Sequence, residues 1–128
     1  MDAAINYFLH LLSGLAMVAA FAAIYMAVTP FRELALIRQG LVAPALSLAG
    51  AVVGFSLTVA SSILHNDSYP AFVLWCGAGL SVQVATYAVL ARLLPQLPEQ
   101  LAGNNVATGA TAGMVSLVVG IINAACMS

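Results

Sequence analysis

Charge is what this sequence has least of. Only 5% of its residues are Asp, Glu, Lys or Arg, against roughly 25% in a soluble globular domain. Seven formal charges on 128 residues cannot cover a water-facing surface, so a lipid-facing one is expected. The three cations, Arg32, Arg38 and Arg92, and a net charge of −1 leave no basic face for nucleic acid. Cysteine is nearly absent too. Cys76 and Cys126 have no CxxC spacing and make neither a zinc pattern nor a disulfide framework. No nucleophile sits with a base at a motif spacing, and there is no phosphate loop and no HExxH. The reading is therefore of a chain that is no enzyme and needs no cofactor and no metal; a lipid- or quinone-directed enzyme has no constellation to support it. The first apolar run is preceded by Met1-Asp2-Ala3-Ala4, which lacks the positive n-region of a cleaved signal.

What the sequence has in quantity is apolar length. Hydrophobic residues make up 63%, and the mean hydropathy is +1.07. A helix crossing about 30 Å of hydrocarbon needs about 20 apolar residues. Four stretches qualify, near 5–28, 41–64, 70–94 and 105–127. Pro30 and Pro95 fall just past the ends of the first and third, where a missing N–H costs least. Pro70 suits a first helical turn, and Pro44 lies in the first turn of its own span. Lipid offers the backbone no partner, so these runs must be helices. The segments 29–40, 65–69 and 95–104 between them are short, which makes consecutive helices antiparallel neighbours. The expected fold class is all-α and integral to the membrane: four transmembrane helices in a single domain of residues 1–128.

Arg32, Arg38 and Arg92 all fall on the side of the first and third linkers. Cytoplasmic loops collect Lys and Arg, so both termini are expected outside and both long linkers inside. Tyr7, Tyr69 and Trp75 near the outer boundary, with Tyr25 and Phe31 near the inner one, resemble an aromatic belt. The bulkier first and third helices (Phe21, Ile24, Tyr25, Met26; Phe72, Leu74, Trp75) are expected to face lipid.

An internal echo runs at an offset of 64 residues. Phe8 matches Phe72, Val42-Ala43 matches Val106-Ala107, and Ala60 matches Ala124. Linkers containing Glu33 and Glu99 precede the second and fourth spans. Two tandem hairpins of the same orientation, 1–64 and 65–128, are expected, which is the parallel kind of repeat.

Small residues mark one face of two helices. Ser47, Ala51, Gly54, Thr58 and Ser61 on the second, and Gly109, Gly113, Ser116, Gly120 and Asn123 on the fourth, follow a 4-3-4-3 spacing. Gly50–Gly54 and Gly109–Gly113 are GxxxG pairs, which let backbones approach closely in lipid. These helices are expected to form the central contact, within one bundle or between subunits, and a homo-oligomer is favoured. Gln83 in mid-span and Asn123 nearer the outer end are the intramembrane polar residues. Each reads first as an interhelical hydrogen bond and second as a pore or ligand contact. No Asp, Glu, Lys or Arg lies near the bilayer centre, which argues against a proton-coupled pump or ion-pair transporter. His10, His65, Asp2 and Asp67 lie toward the outer face and read as solvated boundary residues rather than a metal site. Cys76 and Cys126 share the outer half, where oxidation is chemically open. Arg32, Glu33 and Arg38 make the first linker the most polar segment, and Arg38 is suited to lipid phosphate or a partner protein.

The segment Glu33-Leu-Ala-Leu-Ile-Arg38-Gln39-Gly40 is followed by Ala43-Pro-Ala-Leu-Ser47-Leu-Ala-Gly50-Ala-Val-Val-Gly54-Phe55. Together with Trp75, Val82-Gln83, Asn105-Val-Ala-Thr-Gly109, Val115-Ser116-Leu117 and Gly120-Ile-Ile-Asn123-Ala-Ala-Cys126-Met127, it resembles the YjfL-like family of bacterial inner-membrane proteins, a domain of unknown function (350). The likeness covers nearly the whole chain. It departs at Asn104-Asn105, where the family tends to have Gly-Asn, and at Leu41, where it tends to have Asn. The resemblance implies a four-span inner-membrane protein built from two hairpins, with no established activity. It also implies a setting like that of phage-shock-like and glutathionylspermidine-synthase-like proteins, hence a role at the stressed envelope with cytoplasmic stress-response proteins as partners. Two functions follow. One is a non-enzymatic homo-oligomeric scaffold that engages partners through the linkers. The other is an oligomeric ion or small-solute channel lined by Ser47, Thr58, Gln83, Ser116 and Asn123.

Overall fold

Residues 3–28, 33–65 and 68–127 are described by the computed structural model. Asp2, Pro30, Phe31, Arg32 and Asp67 lie outside the described residues, as does the side chain of Glu33. Six helices follow one another: α1 (Ala3–Val28), α2 (Glu33–Arg38), α3 (Val42–His65), α4 (Tyr69–Leu93), α5 (Leu97–Ala102) and α6 (Val106–Cys126). The four long ones are each apolar and long enough to cross a membrane. There is no strand among the described residues. The helices start where the backbone finds a substitute acceptor. Ser68 caps α4 by accepting from Ala71 N at 3.3 Å, with Pro70 in the first turn. Asn105 caps α6 by accepting from Thr108 N at 3.2 Å.

The two linkers are not irregular. Each holds a six-residue helix, α2 or α5, and each of these helices ends the same way. Gly40, at φ 86°, donates to Ile37 O (2.9 Å), and Leu41 N donates to Leu36 O (3.2 Å). Asn104, at φ 62°, donates to Leu101 O (3.1 Å), and Asn105 N donates to Gln100 O (2.8 Å). Both are Schellman ends, in which a left-handed residue closes the helix and satisfies its last carbonyls. The two left-handed residues lie 104 − 40 = 64 positions apart. Each half of the chain thus runs long helix, short helix, long helix.

The core is built around α3 and α6, which run parallel from the linker end, where α2 and α5 sit, toward the turn end, where α3 meets α4. Their backbones touch through glycine. A side chain on Gly109 would meet the Ala43 backbone, one on Gly120 the Gly54 backbone, and one on Gly50 the Gly113 backbone. So close a crossing leaves no room for large side chains between the two helices, and α1 and α4 supply them from one side. Phe21 stacks on Phe55 with ring centroids 4.9 Å apart. Phe72 is fully buried, and Leu97 and Leu101 of α5 are buried at the linker end.

This corrects one expectation. Of the bulky residues on α1 and α4 assigned to lipid, Ile24, Leu74 and Trp75 are exposed, but Phe21, Tyr25 and Phe72 are buried. Tyr25 therefore takes no part in an inner aromatic belt. The reason is volume: a glycine- and serine-lined face on α3 must be filled by large knobs from its neighbours.

Candidate functional site

Several polar side chains of the spans converge inside the bundle and form a column along the α3–α6 pair. Nearest the linker end, the Tyr25 hydroxyl on α1 and Ser47 Oγ on α3 share a hydrogen bond of 2.9 Å. The Tyr25 ring packs edge-on against Tyr87 of α4, centroids 5.2 Å apart. One turn back along α4 from Tyr87, Gln83 Nε2 donates to Ser116 O on α6 at 3.3 Å. Further along, Asn123 Nδ2 of α6 donates to Thr58 Oγ1 of α3 (3.2 Å), and that hydroxyl donates to Gly54 O (3.4 Å). At the turn end, Ser61 Oγ donates to Ala124 O (2.6 Å) and Ser62 Oγ to Phe72 O (3.1 Å). Gly79 lets α4 approach this level, since a side chain there would meet Thr58 and Asn123.

Each bond joins two helices except Thr58 to Gly54, which lies within α3. Bonds of this kind inside a membrane contribute about 0.6 kcal/mol each on average. Their sum is modest, but their geometry pins the register of α1, α4 and α6 on α3. Exposure is 2% at Ser47, 0% at Thr58, 1% at Gln83 and 3% at Ser116. These groups are therefore consumed by the chain's own bundle.

Gln83 Oε1 is buried and has no hydrogen-bond partner.

The other candidate residues sit apart from the column or at its ends. His10 on α1 donates from Nδ1 to Asn6 O, and His65 from Nδ1 to Ser61 O, each at 2.9 Å. Each ring is thus tied to its own helix. His10 packs against Tyr69 and Phe72, and Ser13 Oγ bonds the Tyr69 hydroxyl at 2.6 Å. Among the described residues no group of three His, Cys, Asp or Glu side chains comes together for a metal. Cys76 is buried and Cys126 exposed, and both are free thiols. Arg38 on α2 and Arg92 on α4 are exposed at the linker end.

The outer face of the α3–α6 pair, away from α1 and α4, holds an open apolar groove of about 320 Å³. Leu46, Gly50 and Val53 line one side, and Ala110, Met114 and Leu117 the other.

Reading the sequence missed the role of Asn104. Asn104 Oδ1, on the linker before α6, accepts from Val42 N and Ala43 N at 3.0 Å each. It caps α3 from the other half of the chain. The available signal was the pair of departures at 41 and 104. The offset of 64 sets Leu41, which cannot cap, opposite Asn105, which does.

A family model described as Domain of Unknown Function (DUF350) matches residues 1–127. The chain is 31% identical over 128 residues to a protein of Escherichia coli strain K12 named UPF0719 inner membrane protein YjfL, covering 100% of this chain and 97% of that protein. The same figures hold for the protein of that name in Escherichia coli O157:H7. No solved structure matches the chain.

Proposed function

Since the chain belongs to the family described as Domain of Unknown Function (DUF350), we propose that it is a multi-pass inner-membrane protein with no catalytic role, one that assembles with itself and serves as a scaffold at the stressed envelope. The observation that carries this reading is the direction of the polar groups. Ser47, Thr58, Gln83 and Ser116 are turned into the chain's own bundle, and the exposed Ser81 and Thr111 hydroxyls bond back to their own helices, so the membrane-embedded surface offers little polar contact. Polar contact with partners is left to the two ends. The linker end offers α2 and α5 with exposed Arg38, Gln39, Gln96 and Glu99, beside Arg92. Gathered arginines favour a cytoplasmic position for this end, and termini in the periplasm. The groove over Gly50 and Ala110 supports self-association, because small residues in lipid allow close helix contact.

An oligomeric channel lined by Ser47, Thr58, Gln83, Ser116 and Asn123 would need those side chains on an axis shared between copies. Ser47, Thr58, Gln83 and Asn123 instead make side-chain hydrogen bonds within one chain, which favours the scaffold.

The test is capture of cytoplasmic partners by chains purified in native lipid, with particle mass measured on the same sample. Arg38→Ala should weaken capture at least several-fold while the mass stays that of the wild-type oligomer. Unchanged capture, or a wild-type particle of one chain, would remove the scaffold reading.

A further inference from the structure

We propose that the carbamoyl oxygen of Gln83 holds an internal water molecule in the middle of the bundle. Gln83 is the fifteenth of the 25 residues of α4 (83 − 68 = 15) and is 1% exposed. Its position along the helix puts it near the centre of the apolar thickness, where neither bulk water nor a lipid headgroup can reach it. Its amide orientation is settled by chemistry. Nε2 points at the Ser116 carbonyl, and the flipped rotamer would set two carbonyl oxygens against each other. Oε1 is thereby directed away from Ser116 and has no partner. A buried amide acceptor with no donor is costly anywhere, and more so in a membrane, where no competing solvent exists.

The nearby donors are committed elsewhere: Thr58 Oγ1 to Gly54 O, and Asn123 Nδ2 to Thr58 Oγ1. The structure directs none of the bundle's donors at Oε1, and a donor from outside the protein's side chains would satisfy it. Water is the smallest neutral donor. The neighbouring hydroxyl, amide and carbonyl groups make this level of the bundle polar, as a buried water requires. The inference concerns the interior of one chain and stands whether or not the scaffold reading does.

The experiment is proton-detected solid-state NMR of the full chain in lipid bilayers with ¹⁵N-labelled glutamine. The chain has four glutamines, Gln39, Gln83, Gln96 and Gln100. Replacing Gln39, Gln96 and Gln100 by Asn assigns the remaining side-chain amide to Gln83 without touching the core. Magnetisation transfer from water to the Gln83 Nε2 protons is expected, at a strength comparable with the three linker-end glutamines. A Gln83 amide that stays silent while the other three respond would overturn the proposal. Gln83→Met, which keeps the length and removes the acceptor, adds an independent readout. If a water is bound, a buried water signal present in the wild type disappears in Gln83→Met. Its persistence there would place the water elsewhere and overturn the assignment to Gln83.

Discussion

Asn104 does two jobs at the linker end. Its backbone adopts φ 62° and closes α5, and its Oδ1 caps α3 through Val42 N and Ala43 N. Gly40, the residue 64 positions earlier, performs only the first. The difference follows from the next residue. Asn105 caps its own helix, but Leu41 has no acceptor to offer the first N–H groups of α3, which would otherwise be orphaned. Asn tolerates the left-handed conformation better than residues with larger side chains, so one side chain can serve both needs. Replacing it separates them. Asn104→Gly keeps the backbone and loses the cap, at a cost of about 1 kcal/mol. Asn104→Ala adds left-handed strain, for about 2 kcal/mol in total. Leu41→Asn in the Asn104→Gly background should restore most of the loss, because the cap is then supplied locally as at Asn105. Reversible unfolding in mixed micelles gives the order, and a double variant no better than Asn104→Gly would refute the exchange.

At the scale of elements, the α3–α6 crossing decides the fold. Two helices whose backbones touch cannot accept a methyl group where the opposing atoms are main chain. Gly109→Ala would drive its Cβ into Ala43, whose Cα lies 2.7 Å and whose carbonyl carbon lies 2.8 Å from that position. Backbone cannot rotate aside, so the helices must part, at about 1–3 kcal/mol. Gly77 on α4 is a matched control, because a Cβ there meets nothing within 4 Å. Gly77→Ala should leave stability unchanged or raise it by about 0.5 kcal/mol through helix propensity. Equal effects of the two substitutions in the same unfolding assay would contradict the crossing.

The long helices were legible in the sequence because a 20-residue apolar run in lipid has one solution. The first span, read from Ile5, begins at Ala3, and the second, read to Leu64, ends at His65. The burial of Phe21, Tyr25 and Phe72 was not legible. Hydropathy marks the inward face of a helix only when the outward face is polar, and a helix in lipid is apolar all round. The short helices α2 and α5 escaped notice because six residues hold too few periods. The spacing of Leu97 and Leu101, both buried, was the one trace α5 left. In the column, Gln83 stood out as a lone amide in an apolar run. The role of Tyr25 was hidden, since its hydroxyl partner Ser47 lies 22 residues away.

For the whole molecule, the two halves correspond in several independent ways. Their short helices end in the same motif 64 residues apart. Gly14 of α1 packs against Val59 of α3, and Gly79 of α4 packs against Asn123 of α6, at offsets of 65 and 64 residues. A duplicated hairpin whose copies share one direction is the arrangement proposed from the sequence; four alternating spans, with or without it, set both long linkers on one side of the membrane. Orientation then hangs on a single choice, and the arginines favour the cytoplasm for the linker end. The chain carries its own reporter for that choice. Cys126 is exposed at the turn end, whereas Cys76 is buried. A membrane-impermeant maleimide should label the wild-type chain in right-side-out vesicles, and Cys126→Ser should abolish the label. Labelling confined to inside-out vesicles would put α2 and α5 in the periplasm. The proposed engagement of cytoplasmic partners through Arg38 would then fail on topology alone, whatever the oligomeric state.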